Sequence, residues 1–224
     1  MENKMVRIAL TKGRIESKAV DILENIGYDV SELRNKGRKL ILSIPGENIE
    51  VVLAKAADVI TYVEHGVCDL GIVGRDTIME HGGKFYEIAD LNFGICKFAL
   101  AVKKGTDFFA GYGVKTVATK YPNVTRGYFE GLGIDVDIVK IEGSVELAPL
   151  VGLADGIVDI VETGTTLREN GLEVCRNVAP ISARLIVNTV SLKLKQEKIL
   201  KIVDLIKNER IREMEEFNNK GDKA

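Results

Sequence analysis

The stretch IVDIVETGTTLRENGL, residues 157–172, decides how this chain is read. A short apolar run bounded by turn residues is the pattern of a buried strand. This one carries an acid, Asp159, ends in Glu162, breaks into Thr163-Gly164-Thr165-Thr166, and resumes with a helical period. Gly164 permits a backbone turn closed to other residues, and the threonine hydroxyls can donate to phosphate oxygens. A helix start adds unpaired N–H groups and the positive end of its dipole, so the loop reads as an anion site with phosphate as its guest. An ordinary helix cap with a glycine turn would use the same residues. The acids weigh against that plainer reading. Glu162 would repel a phosphate unless something else is bound there, and the turn does not need Asp159. Carboxylates beside a phosphate accept hydrogen bonds from sugar hydroxyls or help hold a Mg²⁺ that the phosphates share. The loop therefore points to a phosphorylated sugar bound with Mg²⁺.

The composition is that of a globular protein. Of 224 residues 46% are apolar and 29% charged, enough for one large domain or two small lobes. A net charge of −2 argues against a nucleic-acid partner held by a basic face. No apolar run approaches the roughly 18 residues of a membrane helix, so no membrane partner is expected. The start, MENKMVRIAL, shows no signal peptide. Three cysteines without CxxC spacing (Cys68, Cys96 and Cys175) fit small core residues in a reducing cytoplasm.

Working outward from residue 157, strand-like and helical runs alternate. VRIAL (6–10) precedes the loop TKGR and a helix expected over 15–26, with Ala19, Ile22, Leu23 and Ile26 on one face and Gly27 as its stop. KLILSIP and IEVVLA read as a hairpin turning on Pro45-Gly46-Glu47-Asn48. A helix over 56–64, the strand DLGIVG and a helix from Arg75 follow. FGICKFALAVKKG (93–105) looks long enough to cross between two sheets. Then come KTVATK, a helix over 124–132, VDIVKIEG, a helix over 145–154, and the opening strand. EVCRNV and SARLIVNT read as further strands. Residues 192–217 form one long amphipathic helix with Ile199, Ile202, Val203, Leu205 and Ile206 near one stripe, followed by a polar tail. The alternation predicts an α/β fold of mostly parallel sheet with flanking helices.

Two segments share a pattern: Gly66-x-x-Asp69-x-x-x-x-Gly74 and Gly156-x-x-Asp159-x-x-x-x-Gly164. The match is either chance in a glycine-rich chain or the mark of two like-built lobes, each presenting a strand end and a helix start to a ligand. Other chemistries lack their residues. There is no GxxxxGK[ST] loop and no GxSxG elbow, and Gly111-Tyr112-Gly113 lacks a preceding strand and a third glycine. His65 and His81 have no metal-ligand spacing and read as solvent-facing.

Five separated motifs carry a resemblance: LTKGR (10–14), CDLGIVGRD (68–76), VATKYPNVTRGYF (117–129), EGSVELAPLVGLAD (142–155) and DGIVDIVETGTTLRENGL (155–172). In this order they resemble ATP phosphoribosyltransferase in its short form, over nearly the whole chain. The resemblance implies a fold like the type II periplasmic binding proteins, two lobes with the site between them. It divides the chain into an ATP-side lobe, residues 1–94 plus 176–224, and a phosphoribosyl pyrophosphate lobe, residues 95–175. It implies transfer of a phosphoribosyl group to ATP with Mg²⁺, the first step of histidine biosynthesis. For the donor it implies Glu142, Gly143, Ser144, Asp155, Asp159, Thr163, Gly164, Thr165 and Thr166, with Asp159 and Glu162 as the catalytic acids. For ATP, or for the pyrophosphate, it implies Lys12, Gly13, Arg14 and Arg75, with Gly74 on the ATP side. No residue is assigned to the metal. Lys97 stands where the family is expected to favour Arg, which keeps the charge but loses the bidentate fork. The long form has a C-terminal regulatory domain for which this chain has no room. A separate histidyl-tRNA-synthetase-like subunit, and self-association, are therefore expected. The rival readings are a solute receptor or sensor on the same fold and a phosphoribosyltransferase acting on another base.

Overall fold

The computed structural model describes residues 5–221, and the polar tail expected over 217–224 falls at and beyond the last side chains described. The chain forms two compact units, Met1–Gly94 with Ser182–Ala224, and Ile95–Ile181. The first unit contains β1 (Val6–Thr11), α1 (Arg14–Asn25), α2 (Ser31–Arg34), β2 (Ile41–Ile44), β3 (Ile49–Ala54), α3 (Ala56–Glu64), β4 (Leu70–Gly74), α4 (Arg75–His81) and β5 (Phe85–Asp90). The second contains β6 (Cys96–Lys103), β7 (Lys115–Thr119), α5 (Pro122–Leu132), β8 (Val136–Lys140), α6 (Leu147–Leu150), β9 (Gly156–Val161), α7 (Thr165–Glu169) and β10 (Leu172–Ile181). The chain then returns to the first unit as β11 (Ala183–Asn188), α8 (Thr189–Leu194) and α9 (Gln196–Gly221).

Each unit is built on one sheet, and the two sheets repeat one another. The first has the order β2-β3-β1-β4-β11-β5, the second β8-β7-β9-β6-β10 when read from its parallel end. In each, three strands run parallel (β3, β1, β4 and β8, β7, β9) and two antiparallel strands follow. Only the hairpin strand β2 has no counterpart. The expected parallel sheet is thus the core of each unit, completed into a mixed sheet by strands that continue from one unit to the other. A single residue, Ser182, separates β10 from β11.

Strand alternation explains the cores. Val6, Ile8 and Leu10 of β1 face α1 and α9, with Ile22, Leu23, Ile199, Ile202 and Ile206 packed against them. Ala9, Val73 and Ile186 face α3 on the other side. A Cβ on Gly71 would lie 2.9 Å from Val59 and Val63, so β4 needs glycine for α3 to pack this closely. In the second unit Ala99, Ala101, Ile157 and Val161 pack under Val145, Ala148 and Leu167.

The internal repeat is real, in a register different from the one its glycines suggest. Asp69 precedes β4; its N–H donates to the Arg7 carbonyl and its carboxylate accepts from the Arg7 N–H, both at 2.8 Å. Asp155 precedes β9 and makes the same reciprocal pair with Thr116, again at 2.8 Å. Asp69 therefore corresponds to Asp155, and the position matching Asp159 is Val73. Each unit also ends the central pair with a threonine. Thr11 donates to the Ile72 carbonyl at 3.0 Å, and Thr119 to the Val158 carbonyl at 2.7 Å.

Other expectations need correction. The helix over 145–154 shrinks to α6, four residues, because Gly152 takes φ +78° and turns the chain away. The helix over 192–217 is broken at Lys195, whose ammonium reaches the Met5 carbonyl and both oxygens of Asp69. The strand expected over 93–105 is confined to β6 and to one sheet. Residues 176–181, placed by sequence with the first lobe, pair with β6 as the end of β10. β5 was not foreseen; it is an edge strand with no residue fully buried, so its sequence lacks a clear alternation. Cys68 is buried, and burial pushes its thiol up to about 11, whereas Cys96 and Cys175, expected in the core, are only partly buried; all three are free, and both histidines are exposed.

The two aspartate clamps differ in burial. Asp69 is 4% exposed and ion-paired to Lys195, whereas Asp155 is exposed. Asp69→Ala leaves a half-buried ammonium unpaired and is expected to lower the unfolding free energy by about 3 kcal/mol. Asp155→Ala removes one exposed hydrogen bond, a loss of about 1 kcal/mol. Urea denaturation of both variants checks the ranking; equal losses would mean that the ion pair contributes nothing beyond the hydrogen bond.

Candidate active site

In the second unit the chemistry gathers where β7, β8 and β9 end. Asp159 alternates with Ile157 and Val161, both buried in the core beneath α6, so its side chain shares their face. It is half-buried, and its Oδ1 accepts the Ile160 N–H at 2.8 Å. Burial raises its pKa above the ordinary carboxylate value. The Ile160 N–H opposes that rise, nearby Glu146 adds to it, and Lys120 counters it. Three residues past the strand, Gly164 adopts φ +73° at the start of α7, a conformation that favours glycine.

The threonine loop is held by its own helix. Arg168 donates through Nη1 to the Thr163 carbonyl and through Nη2 to Thr165 Oγ1, each at 3.0 Å. The hydroxyls of Thr163 and Thr165 lie 3.1 Å apart, and the Thr166 carbonyl accepts from Asn170 at 2.8 Å. Thr163, Thr165 and Thr166 are exposed, as is Glu162. Since the first N–H groups of a helix have no partner within it, the loop offers donors to an anion.

The neighbouring strand ends add charge. Lys140 closes β8 and holds Glu142 at 2.8 Å, which keeps that exposed carboxyl below its usual range. Glu142, Gly143 and Ser144 form a bend ahead of α6 rather than its first turn, since the helix starts at Leu147. Lys97 pairs in register with Val161, which puts it beside the end of β9 on the face that carries Asp159. Asp155 is set apart from this group. It stands before the amino end of β9, roughly 13 Å along the strand from Asp159, and its carboxylate is engaged by Thr116. Its place is that of a register clamp, not a ligand of the threonine loop. Sequence reading missed Lys120, Lys140 and Glu146 as members of this edge, although the motifs 117–129 and 142–155 contain Lys120 and Glu146.

In the first unit β1, β3 and β4 end together. Lys12, Gly13 and Arg14 follow β1, Lys55 follows β3, and Gly74 and Arg75 join β4 to α4. Gly13 takes φ +101° and its N–H faces the Glu16 carboxylate at 3.4 Å, which anchors the start of α1. Glu16 is buried and also held by Lys36. Lys12 and Arg14 are exposed and Arg75 half-buried. A Cβ on Gly74 would meet the Asp76 carboxylate, which would have to turn aside to admit it. Lys55 is a basic residue of this edge that sequence reading did not select. Among the described residues no three His, Cys, Asp or Glu side chains converge as a metal cage, and no helix is long and apolar enough to cross a membrane.

A mixed α/β fold in two units, one bearing a threonine-glycine anion loop beside an acid and the other a cationic strand edge, defines a class of phosphate-ligand proteins. The comparisons narrow it. Residues 55–208 match the family model described as ATP phosphoribosyltransferase. The chain is 59% identical over 203 residues to the ATP phosphoribosyltransferase of Clostridium kluyveri, covering 91% of this chain and 93% of that one. It is 58% identical over 207 residues to that of Clostridium acetobutylicum, covering 92% and 96%. Among solved structures, the ATP phosphoribosyl transferase (HisG:HisZ) complex from Thermotoga maritima aligns with TM-score 0.77 at 34% identity, over 93% of this chain and 100% of that one. The periplasmic aliphatic sulphonate binding protein SsuA from Escherichia coli aligns with TM-score 0.59 at 11% identity, over 96% and 76%, a likeness of fold alone. The chain belongs to the ATP phosphoribosyltransferase family, whose reaction opens histidine biosynthesis and uses a divalent metal ion.

The burial of Asp159 has a stability consequence. The folded state holds this proton more tightly than the unfolded chain does. Stability therefore falls as pH rises from the ordinary carboxylate value through the raised one, and stays lower above it. Asp159→Asn keeps the acceptor for the Ile160 N–H without the buried charge. The variant is expected to be more stable than the parent at pH 7, with the difference vanishing below the ordinary carboxylate range. Urea midpoints at pH 7 and pH 3.5 check this; a variant less stable at pH 7 would refute it.

Proposed function

We propose that this chain transfers the 5-phosphoribosyl group of phosphoribosyl pyrophosphate to N1 of ATP, releasing pyrophosphate and giving N1-(5-phosphoribosyl)-ATP. The observation that carries the reading is the half-buried Asp159, placed on an apolar face directly before a threonine loop that Arg168 holds in shape. Thr163, Gly164, Thr165 and Thr166 take the 5-phosphate, and Asp159 with Glu162 faces the ribose hydroxyls. Glu142, Gly143 and Ser144 line the same edge of the second unit. In the first unit Lys12, Gly13, Arg14, Gly74 and Arg75 serve ATP and its phosphates. The setting is the cytoplasm.

The chemistry asks for positioning and charge rather than a covalent nucleophile. The bond from C1 to the pyrophosphate oxygen breaks, its electron pair leaving with the pyrophosphate, and the N1 lone pair of adenine forms the new bond on the opposite face. The ring gains oxocarbenium character on the way, and a carboxylate close to it stabilises that positive charge. Asp159 is suited to this because its raised pKa marks a poorly hydrated carboxylate, whose field on a neighbouring cation is little screened. Binding both substrates in line supplies the remainder.

Mg²⁺ fits the residues present. With no cage of three side chains among the described residues, an ion would be carried by the donor's phosphates and share one carboxylate, Asp159 or Glu162, as is usual for Mg²⁺. Bound there, it neutralises the pyrophosphate as leaving group. The Thermotoga maritima relative was solved with HisZ. By analogy, this chain works as the catalytic subunit beside a histidyl-tRNA-synthetase-like partner, in an assembly that also contains further copies of itself.

The test is pyrophosphate release from phosphoribosyl pyrophosphate, with Mg²⁺ and ATP, with and without that partner. ATP-dependent release that rises with the partner is expected. Binding of the donor without turnover in either condition would point to another acceptor base or a sensor. In the same assay Asp159→Asn is expected to lower kcat by about 100-fold; undiminished turnover would remove Asp159 from the mechanism.

A further inference from the structure

The edge of the second unit holds a cation to which neither the motif reading nor the proposed function gives a task. Lys120 lies between β7 and α5, exposed, at the end of a central strand of its sheet. Lys140 is committed to Glu142, and Arg168 to the threonine loop. Lys120 has no ion-pair partner among the described residues.

The backbone around Lys120 is unusually well fixed for an exposed lysine. On one side Thr119 is fully buried and donates to the Val158 carbonyl at 2.7 Å, one residue before Asp159. On the other, the Tyr121 N–H donates to that same hydroxyl at 2.9 Å, and the Tyr121 ring packs edge-on against Phe98 at 4.8 Å. The Tyr121 carbonyl then receives the N–H and hydroxyl of Thr125 in α5, at 3.0 and 2.9 Å. The loop is tied to β9, β6 and α5 at once, and the tie to β9 puts the Lys120 backbone beside Asp159.

Strand order places Lys120 relative to the threonine loop. From the end of β9, the threonine loop leads through α7 to β10, which lies beyond β6 on one side of β9. β7 lies on the other side, one strand spacing of about 4.8 Å away. A ribose held at Asp159 with its 5-phosphate in the threonine loop therefore has Lys120 on its far side. Phosphoribosyl pyrophosphate has one other anionic group, the pyrophosphate on C1.

We propose that Lys120 is a substrate-binding residue that holds this pyrophosphate and stabilises it as it leaves. The inference rests on the proposed function, because it takes the donor's orientation from the threonine loop. When the C1–O bond breaks, the electron pair adds charge to the bridging oxygen, and an ammonium carried on this fixed backbone lowers the barrier as well as the dissociation constant. No proton transfer is part of this role.

The experiment compares Lys120→Met and Lys120→Arg with the parent by calorimetric titration, using inorganic pyrophosphate with Mg²⁺ and, separately, ribose 5-phosphate. Lys120→Met is expected to weaken pyrophosphate binding by about tenfold and to leave ribose 5-phosphate within about twofold, with Lys120→Arg close to the parent. In the complex with its partner subunit, kcat/KM for phosphoribosyl pyrophosphate should fall by about 100-fold in Lys120→Met and recover in Lys120→Arg. Unchanged pyrophosphate affinity in Lys120→Met, equal loss for both ligands, or no pyrophosphate binding by the parent overturns the proposal. Failure of the functional reading shows differently, as absence of ATP-dependent turnover in the parent whatever the variants bind.

Discussion

The structure depends on the register of two parallel strand pairs, β1 with β4 and β7 with β9. Parallel strands slide more easily than hairpins, because no short turn fixes their alignment. Here an aspartate does it. Asp69 and Asp155 each exchange two hydrogen bonds with the backbone of the adjacent strand, at its second residue, before the ladder begins. Thr11 and Thr119 close the other end through the Ile72 and Val158 carbonyls. A slip of one residue would turn Asp159 from the α6 side of the sheet to the opposite face and bring Val158, now buried on that opposite face, into its place. The clamps thus fix more than stability. They determine which residues emerge at the carboxyl ends, where all the assigned chemistry stands.

The same register exposes a conflict at Asp159. It occupies a position that alternation would give to an apolar residue, and its counterpart in the first unit is Val73, fully buried. The second unit therefore keeps a poorly hydrated carboxylate where the first has a valine. Folding alone would favour the valine, since a buried acid raises its own pKa and lowers stability at neutral pH. Its retention is understandable if the charge interacts with a ligand, because a carboxylate stripped of water acts on a nearby positive centre far more strongly than a solvated one. Placing the acid on a strand and the donors on a loop held by Arg168 leaves little to rearrange when the ligand arrives.

What was legible in the sequence was what local patterning controls. The hairpin around Pro45–Asn48, the helix over 56–64 and the strand before the threonine loop follow from period and turn chemistry, and they stand where expected. The repeat is legible but its register is not, because glycine spacing pairs Asp69 with Asp159 while its structural equivalent is Asp155. Only a cross-strand hydrogen bond distinguishes the two, and nothing local in the sequence reports it. β5 escaped for a related reason: this edge strand has no fully buried residue to impose alternation. The helix break at Lys195 is a tertiary effect, set by a carboxylate 126 residues away. Nothing local distinguishes Lys120 and Lys140 from ordinary surface lysines; strand order alone brings them to the edge that holds Asp159.

Arg168 bears on how the threonine loop can act. Its guanidinium is spent on the Thr163 carbonyl and the Thr165 hydroxyl, so it shapes the loop rather than meeting a ligand directly. That choice separates shape from charge. A phosphate gripped by a guanidinium is bound tightly in substrate and product alike, which lowers KM without raising kcat. A phosphate held by backbone N–H groups and hydroxyls is bound more weakly and with better defined direction. In the proposed reading the strong charges, Asp159 on one strand and Lys120 after the next, serve the bonds that change rather than the anchoring of the sugar. For a reaction whose barrier lies in separating a cationic ring from an anionic leaving group, charge placed there stabilises the transition state more than the bound substrate.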